Sequence, residues 1–232
     1  MSDSLIPIFI GYDYRERAAT NVLIDSLYQK SSAPLSITPL VNAQLIKKKY
    51  YFRNRDPKQS TDFSFTRFLV PFLMDFNGWA IFMDCDMLCK SDIKQLWDLK
   101  DDKYSVMCVK HEHNPSEKFK FQGEIQSAYP KKNWSSLILF NCAACTHLSI
   151  EYVNSASGLD LHRFKWLDDE KKIGEIHSSW NHLILDKDTP NTSIDICHWT
   201  LGGPWFKDQR KPLGILDSEW FKARDDSIEL WD

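Results

Sequence analysis

Asp84 and Asp86 stand one residue apart at the end of the apolar run Trp79–Met83, in the stretch WAIFMDCDMLCK. Residues two apart in an extended chain project to the same side, so both carboxylates would point together while Cys85 turns back toward the core. Two like charges held that close repel unless something cancels them. A divalent cation does so, and hard carboxylate oxygens suit Mg2+ or Mn2+. In open parallel sheets, ligands collect outside the carboxyl ends of the strands, which is where this pair would sit. The bare pattern equally fits two solvated acids in a loop, so its meaning depends on the elements around it.

Those elements read as α/β. LIPIFIGYD is a buried strand ending at Gly11, and RERAATNVLIDSLYQKSS follows with Ala18, Val22, Leu23 and Leu27 at helical spacing. PLSITPLVN is a second strand, and strand, helix, strand is the opening of a parallel sheet. KKKYYFRNRDPKQS is basic and turn-rich, an exposed loop. TDFSFTRFLVPFLMDFNG predicts a helix that Pro71 starts or kinks and Asn77-Gly78 closes. After the paired aspartates, SDIKQLWDL reads as a short helix capped by Ser91 or Asp92, and YSVMCVK and WSSLILFN as strands. Residues 111–132 are polar and irregular, a candidate lid or substrate loop, and 147–170 look mainly helical. From Thr189 the chain is rich in Pro, Gly and Trp, and there are no repeats or low-complexity tracts.

With 232 residues and 43% hydrophobic content, the chain can bury the core of one domain. A net charge of −3 gives no reason to expect nucleic acid as a partner, so a bound anion must be met by a local basic cluster or a metal ion. The start MSDSLIPIFIGYD lacks the basic residues and apolar core of a signal peptide, and no window reaches the ~18 apolar residues of a membrane helix, so a cytoplasmic protein is expected. Six cysteines (85, 89, 108, 142, 145, 197) then read as reduced, mostly buried thiols. CAAC at Cys142–Cys145 has no second CxxC to complete a metal site, and a buried pair is expected there. Nine tryptophans could offer stacking platforms to sugars or bases, although packing should claim most of them.

FMDCDMLC resembles the metal-binding DxD of GT-A glycosyltransferases, particularly the retaining, metal-dependent family 8 group. Three other segments match in the same order. FIGYD, Phe9–Asp13, is similar to the first-strand turn that seats the nucleotide; SFTRF, Ser64–Phe68, to the helix whose Arg faces the nucleotide-sugar; and HWTLGGPW, His198–Trp205, to the late motif whose imidazole completes the metal site. The resemblance spans residues 9–205 and implies one GT-A domain: a Rossmann-like, mostly parallel sheet flanked by helices with a C-terminal elaboration. It also implies a nucleotide-binding half at about 1–110 and an acceptor half at about 111–232.

The resemblance assigns Asp84, Asp86 and His198 to the metal, and a neutral imidazole in the set favours Mn2+ over Mg2+. Donor contacts would come from Gly11, whose missing Cβ lets a ligand approach, from Tyr12 against a uracil ring, from Asp13 accepting from base or ribose, and from Arg15. Arg67, a lone cation among apolar neighbours, needs either a site carboxylate or the donor as partner. Asp84 and Cys85 of the DxD, Asn133 and Ser135 facing the sugar, and the amides of Gly202 and Gly203 complete the donor set. Family members carry a lysine before the Pro-Trp pair where this chain has Gly203, and Lys207 is the available substitute. GEIHSSWNHL is similar to the acidic motif near the anomeric carbon but lacks its acid-Gln pair; Glu175, His177 and Asn181 stand there instead, with no nucleophile assigned.

The implied activity is transfer of a hexose-type sugar from a nucleoside diphosphate, UDP by resemblance, to a glycan or lipid-linked saccharide hydroxyl, as in polysaccharide synthesis. The catalytic side chains would be Arg67, Glu175 and Asn181. The aromatic tail WFKARDDSIELWD would dock on the domain, meet a second protomer, or touch a membrane peripherally, so monomer and homodimer both stay open. A haloacid-dehalogenase-type phosphatase also uses DxD after a strand, but near the first strand and with Thr or Val where Leu88 stands. Sugar-nucleotide pyrophosphorylases open with a Gly-rich loop that GYDYRER lacks. A non-catalytic carbohydrate-binding module would explain the tryptophans but not the convergence of acids and histidine.

Overall fold

The apolar runs form the sheet that the sequence pattern predicts. In the computed structural model, which describes residues 5–56, 59–112, 131–184, 193–207 and 214–229, a six-stranded sheet runs in the order β2-β1-β3-β6-β5-β7. Its strands are β1 Ile6–Gly11, β2 Leu35–Leu40, β3 Trp79–Met83, β5 Val106–Cys108, β6 Leu137–Asn141 and β7 Ile173–Glu175. β1 lies parallel to β2 and β3, and β5 parallel to β7, while β6 runs antiparallel to both of its neighbours. The sheet is therefore mostly parallel, and Ile8, Ile10, Ile81, Phe82 and Leu139 are wholly buried within it. Burying each such side chain contributes roughly 1.5–3 kcal/mol.

Seven α-helices lie among the described residues: α1 Arg17–Lys30, α2 Asn42–Lys47, α3 Val70–Leu73, α4 Ile93–Trp97, α5 Ile150–Ser155, α6 Gly158–His162 and α7 Ile215–Asp226. On α1 the buried stripe is Ala19, Val22, Leu23 and Leu27; Ala18 is exposed, one position off the expected stripe. The helix expected over TDFSFTRFLVPFLMDFNG is only a 3-10 turn, Thr66–Leu69, followed by α3 with Pro71 in its first turn. Proline is tolerated there because that N–H lacks a helical acceptor anyway. Asp92 caps α4 by accepting from the Lys94 N–H.

A second, three-stranded sheet, β4-β9-β8, is built from β4 Met87–Cys89, β9 Ile196–His198 and β8 His182–Leu183. Beside it an aromatic cluster of Trp199, Trp205, Trp220 and Phe221 packs α7 against the body, and Trp199 Nε1 donates to Asp217 Oδ1 at 2.8 Å. The tail thus docks through α7; Leu230 and Trp231, like most of the candidate lid loop (113–130), lie outside the described residues. The tryptophans pack: Trp97, Trp166, Trp180, Trp199 and Trp220 are buried, and Trp79, Trp134 and Trp205 partly so. All six cysteines are free and buried. Burial pushes the Cys142 thiol up to about 12, which suits the expected inert pair. No helix among the described residues is long and apolar enough to cross a membrane.

Candidate active site

Asp84 and Asp86 do not sit in a strand. β3 ends at Met83, and the chain bends through Asp84, Cys85 and Asp86 before β4. The bend is fixed at both ends: the Asp84 N–H donates to the Ser136 carbonyl at 2.8 Å, and the Trp199 N–H to the Asp86 carbonyl at 2.9 Å. The antiparallel register of β4 and β9 places His198 opposite Met87, next to Asp86. As a result Asp84, Asp86 and His198 each offer a ligand atom, all within 4.8 Å of one another. This cluster stands beyond the carboxyl ends of parallel β1 and β3, the usual ligand crevice of such sheets.

A buried relay fixes the histidine. Ser136 Oγ donates to the Asn133 carbonyl at 2.7 Å, and Asn181 Nδ2 donates to Ser136 Oγ at 2.8 Å. With the amide nitrogen committed, Asn181 Oδ1 must be the acceptor in its 2.8 Å contact with His198 Nδ1. A neutral ring so held carries its proton on Nδ1 and turns the Nε2 lone pair toward Asp86 Oδ1, 3.2 Å away. That oxygen is buried and accepts no hydrogen bond. A lone pair facing a carboxylate is repulsive unless a proton or a metal ion stands between them. Two carboxylates and a neutral imidazole with its far nitrogen hydrogen-bonded are a donor set that fits a divalent transition metal.

Arg67 is 5% exposed and meets the carboxylate that sequence reasoning offered as one of its two partners. Its Nη1 lies 2.8 Å from Asp84 Oδ1 and donates to the Ser135 carbonyl at 2.7 Å, and its guanidinium lies over the Phe63 and Phe82 rings. It orients Asp84. Ser135 does not present its hydroxyl to a sugar: the Oγ is 2.8 Å from His162 Nδ1, and the residue is 5% exposed.

The first loop departs most from expectation. Asp13 is wholly buried and accepts from the Arg15 N–H, Nε and Nη2 at 3.0, 3.0 and 2.7 Å and from the Asp62 N–H at 3.1 Å. Burial works against its charge, but the bonds from Arg15 and Asp62 outweigh it and hold the carboxyl below its ordinary value. Asp13 therefore has no lone pair to spare for base or ribose. Arg15 is tied in turn, its Nη2 also donating to the Ser60 carbonyl at 2.9 Å, so it clamps the loop. A Cβ added to Gly11 would fall 2.3 Å from the Phe63 ring, so this glycine makes room for a core aromatic and not for a ligand. Tyr12 is half-buried and forms no hydrogen bond among the described residues.

Elsewhere the expected contacts divide. Gly202, at φ 100°, takes a conformation that favours glycine, but its N–H is spent on the Trp199 carbonyl. Gly203 has the Trp205 ring 2.2 Å from where a Cβ would be, and its N–H has no backbone acceptor among the described residues. Lys207 is exposed. Cys85 is wholly buried, so only its backbone can face a ligand. Asn133 contributes its carbonyl to the relay, and its amide makes no hydrogen bond among the described residues. Asn181 is fully buried and orients His198 in place of touching substrate. His177 accepts from the Ser179 N–H and caps a turn, while Glu175 is exposed at the end of β7. Sequence reasoning missed Ser136 and Glu16, the latter buried at the head of α1; no local pattern marks the first, and the second is hidden beside the more conspicuous Asp13.

Comparison with known proteins places this arrangement. Residues 19–150 match the family model described as glycosyl transferase family 8. The chain is 49% identical over 206 residues to Protein CDI of Arabidopsis thaliana, covering 86% of this chain and 79% of that protein. Its fold is similar to WbbM, a bifunctional glycosyltransferase (TM-score 0.64, 15% identity, 95% of this chain), of which it spans about half (52%). It is also similar to the galactosyltransferase LgtC solved with donor and acceptor sugar analogs (TM-score 0.62, 11% identity, 98% of each chain). With a family match over more than half its length and a relative at 49% identity, the chain belongs to glycosyl transferase family 8.

Proposed function

We propose that this glycosyltransferase moves a hexose-type sugar from a UDP donor to a hydroxyl of a glycan or lipid-linked saccharide, with retention at the anomeric carbon and a divalent cation, manganese by preference, as resident cofactor. Membership of the family sets aside the phosphatase and the non-catalytic binding module. The observation that carries the reading is the meeting of Asp84, Asp86 and His198 within 4.8 Å, with the His198 lone pair turned on a buried carboxylate oxygen. These three side chains hold the cation. Such an ion would supply Lewis-acid stabilisation of the charge on a diphosphate leaving group.

The chain's own groups do the rest. Asn181 keeps the His198 proton on Nδ1, and Arg67 holds Asp84 in place. Tyr12, the Asn133 amide, the Gly203 N–H and Lys207 are uncommitted among the described residues and would meet the donor. Residues 1–110 form the nucleotide half and 111–232 the acceptor half, and no nucleophile is assigned. LgtC, similar in fold, was solved with both donor and acceptor analogs, which supports a two-substrate cleft here. The test is UDP release from a panel of UDP-sugars with and without Mn2+, followed by NMR of the product anomer. Turnover that needs the ion and keeps the donor's configuration is expected; metal-independent turnover, or none with any UDP-sugar, would sink the reading.

A further inference from the structure

The first loop was expected to supply an acid that accepts hydrogen bonds from the nucleoside, and the structure removes Asp13 from that role: it is wholly buried and already accepts four hydrogen bonds. Three residues on stands Glu16, 8% exposed, immediately before α1. Its backbone is fully used, the N–H donating to the Asp13 carbonyl at 2.9 Å and the carbonyl accepting from Thr20 Oγ at 3.3 Å. Its side chain is not. It does not cap α1, and it forms no hydrogen bond or ion pair among the described residues, because the neighbouring guanidinium of Arg15 is committed to Asp13 and Ser60.

Its position faces the active site. The Thr20 hydroxyl that bonds its carbonyl also bonds the Cys85 thiol, so Glu16 lies one helical turn before a residue that touches the centre of the Asp84–Asp86 bend. Burial first, then the charge of Asp86, works against ionisation of its carboxyl, a cost that hydrogen-bond donors from a ligand would offset. It is not one of the three side chains that converge on the cation position. A buried carboxyl without a donor is costly, and retention of one at the edge of a ligand crevice points to a donor brought by the ligand.

We propose that Glu16 is the carboxylate that receives the ribose hydroxyls of the nucleotide-sugar donor. This rests on the donor reading above. A diphosphate carries only acceptors, which a carboxylate repels, and a uracil ring offers one N–H; a ribose offers two adjacent O–H donors that match two carboxylate oxygens.

The test measures binding of UDP, GDP, 2′,3′-dideoxy-UDP and N3-methyl-UDP to the full chain with Mn2+, comparing wild type with Glu16→Gln by calorimetry. The wild type should lose about 10- to 100-fold on removal of the hydroxyls, the range expected for hydrogen bonds to a charged group. Glu16→Gln should weaken UDP about 10-fold or more and bind the dideoxy analogue as weakly as the wild type does, so that discrimination at the ribose collapses. The variant is nearly isosteric, and a thermal melt close to wild type verifies that it folds. If Glu16→Gln keeps the ribose discrimination, or loses discrimination at N3 instead, the assignment of Glu16 is overturned while the donor reading stands. If GDP binds and UDP does not, the choice of base fails, and the ribose comparison is repeated with dideoxy-GDP. If neither nucleotide binds, both fall together.

Discussion

Replacing Asn181 by alanine tests the link between the buried relay and the metal. The change deletes two hydrogen bonds, each 2.8 Å long, to His198 Nδ1 and Ser136 Oγ, at a position with no solvent exposure. His198 is 2% exposed, so water cannot readily replace the lost acceptor. Each buried partner left unsatisfied costs about 1–3 kcal/mol, and a stability loss of roughly 2–5 kcal/mol is expected. Losing the group that orients a metal-bound histidine typically weakens metal binding about 10- to 100-fold, or roughly 1.4–2.7 kcal/mol. Asn181→Asp is the informative partner: it keeps an acceptor for Nδ1–H and should bind Mn2+ within a few-fold of wild type or more tightly. Ser136→Ala, one step further out, should cost less than Asn181→Ala. Calorimetric Mn2+ titration of the four proteins, with urea melts as controls, decides the matter. Equal Mn2+ affinity in wild type and Asn181→Ala, or equal losses in the Ala and Asp variants, would refute the relay.

Asp86→Asn should abolish Mn2+ activation of UDP-sugar turnover while leaving the melting temperature close to wild type, because it removes a metal ligand and a like-charge neighbour of Asp84 at once; Mn2+-activated turnover in the variant would count against the site. His111 should make the protein acid-sensitive. Burial first, then the nearby imidazoles of His198 and His182, push its imidazole down from 6.5 to about 4. The unfolded chain therefore holds more protons than the folded one between these values, and stability falls as pH drops from about 6.5 to 4, by up to about 3 kcal/mol. The urea midpoint of wild type should fall across that window by more than that of His111→Gln, and parallel curves would contradict this. Gly11→Ala places a Cβ 2.3 Å from the Phe63 ring and should destabilise by about 1–3 kcal/mol through overpacking, without changing the ribose discrimination. A neutral effect on the urea midpoint would mean that Phe63 moves aside freely.

Much of this protein follows from short-range pattern. Apolar runs and helical spacing gave the strand–helix–strand opening, the strand that ends at Met83 and the helix after it, because burial and backbone periodicity act over a few neighbouring residues. The DxD pair suggested a cation only together with the apolar run before it and the matching segments elsewhere, and the free, buried cysteines followed from composition. Which polar atoms remain free for a ligand is a different kind of fact, settled by donors that arrive from distant segments. The Asp62 N–H and Ser60 carbonyl retire Asp13 and Arg15, Ser136 turns Asn181 into an orienting group, and Phe63 claims the space at Gly11. Glu16 is left open only because those contacts are made elsewhere. Even the Asp86–His198 meeting needed a three-stranded sheet joining residues from the middle and end of the chain, since hydrogen-bond satisfaction and register are properties of the folded whole.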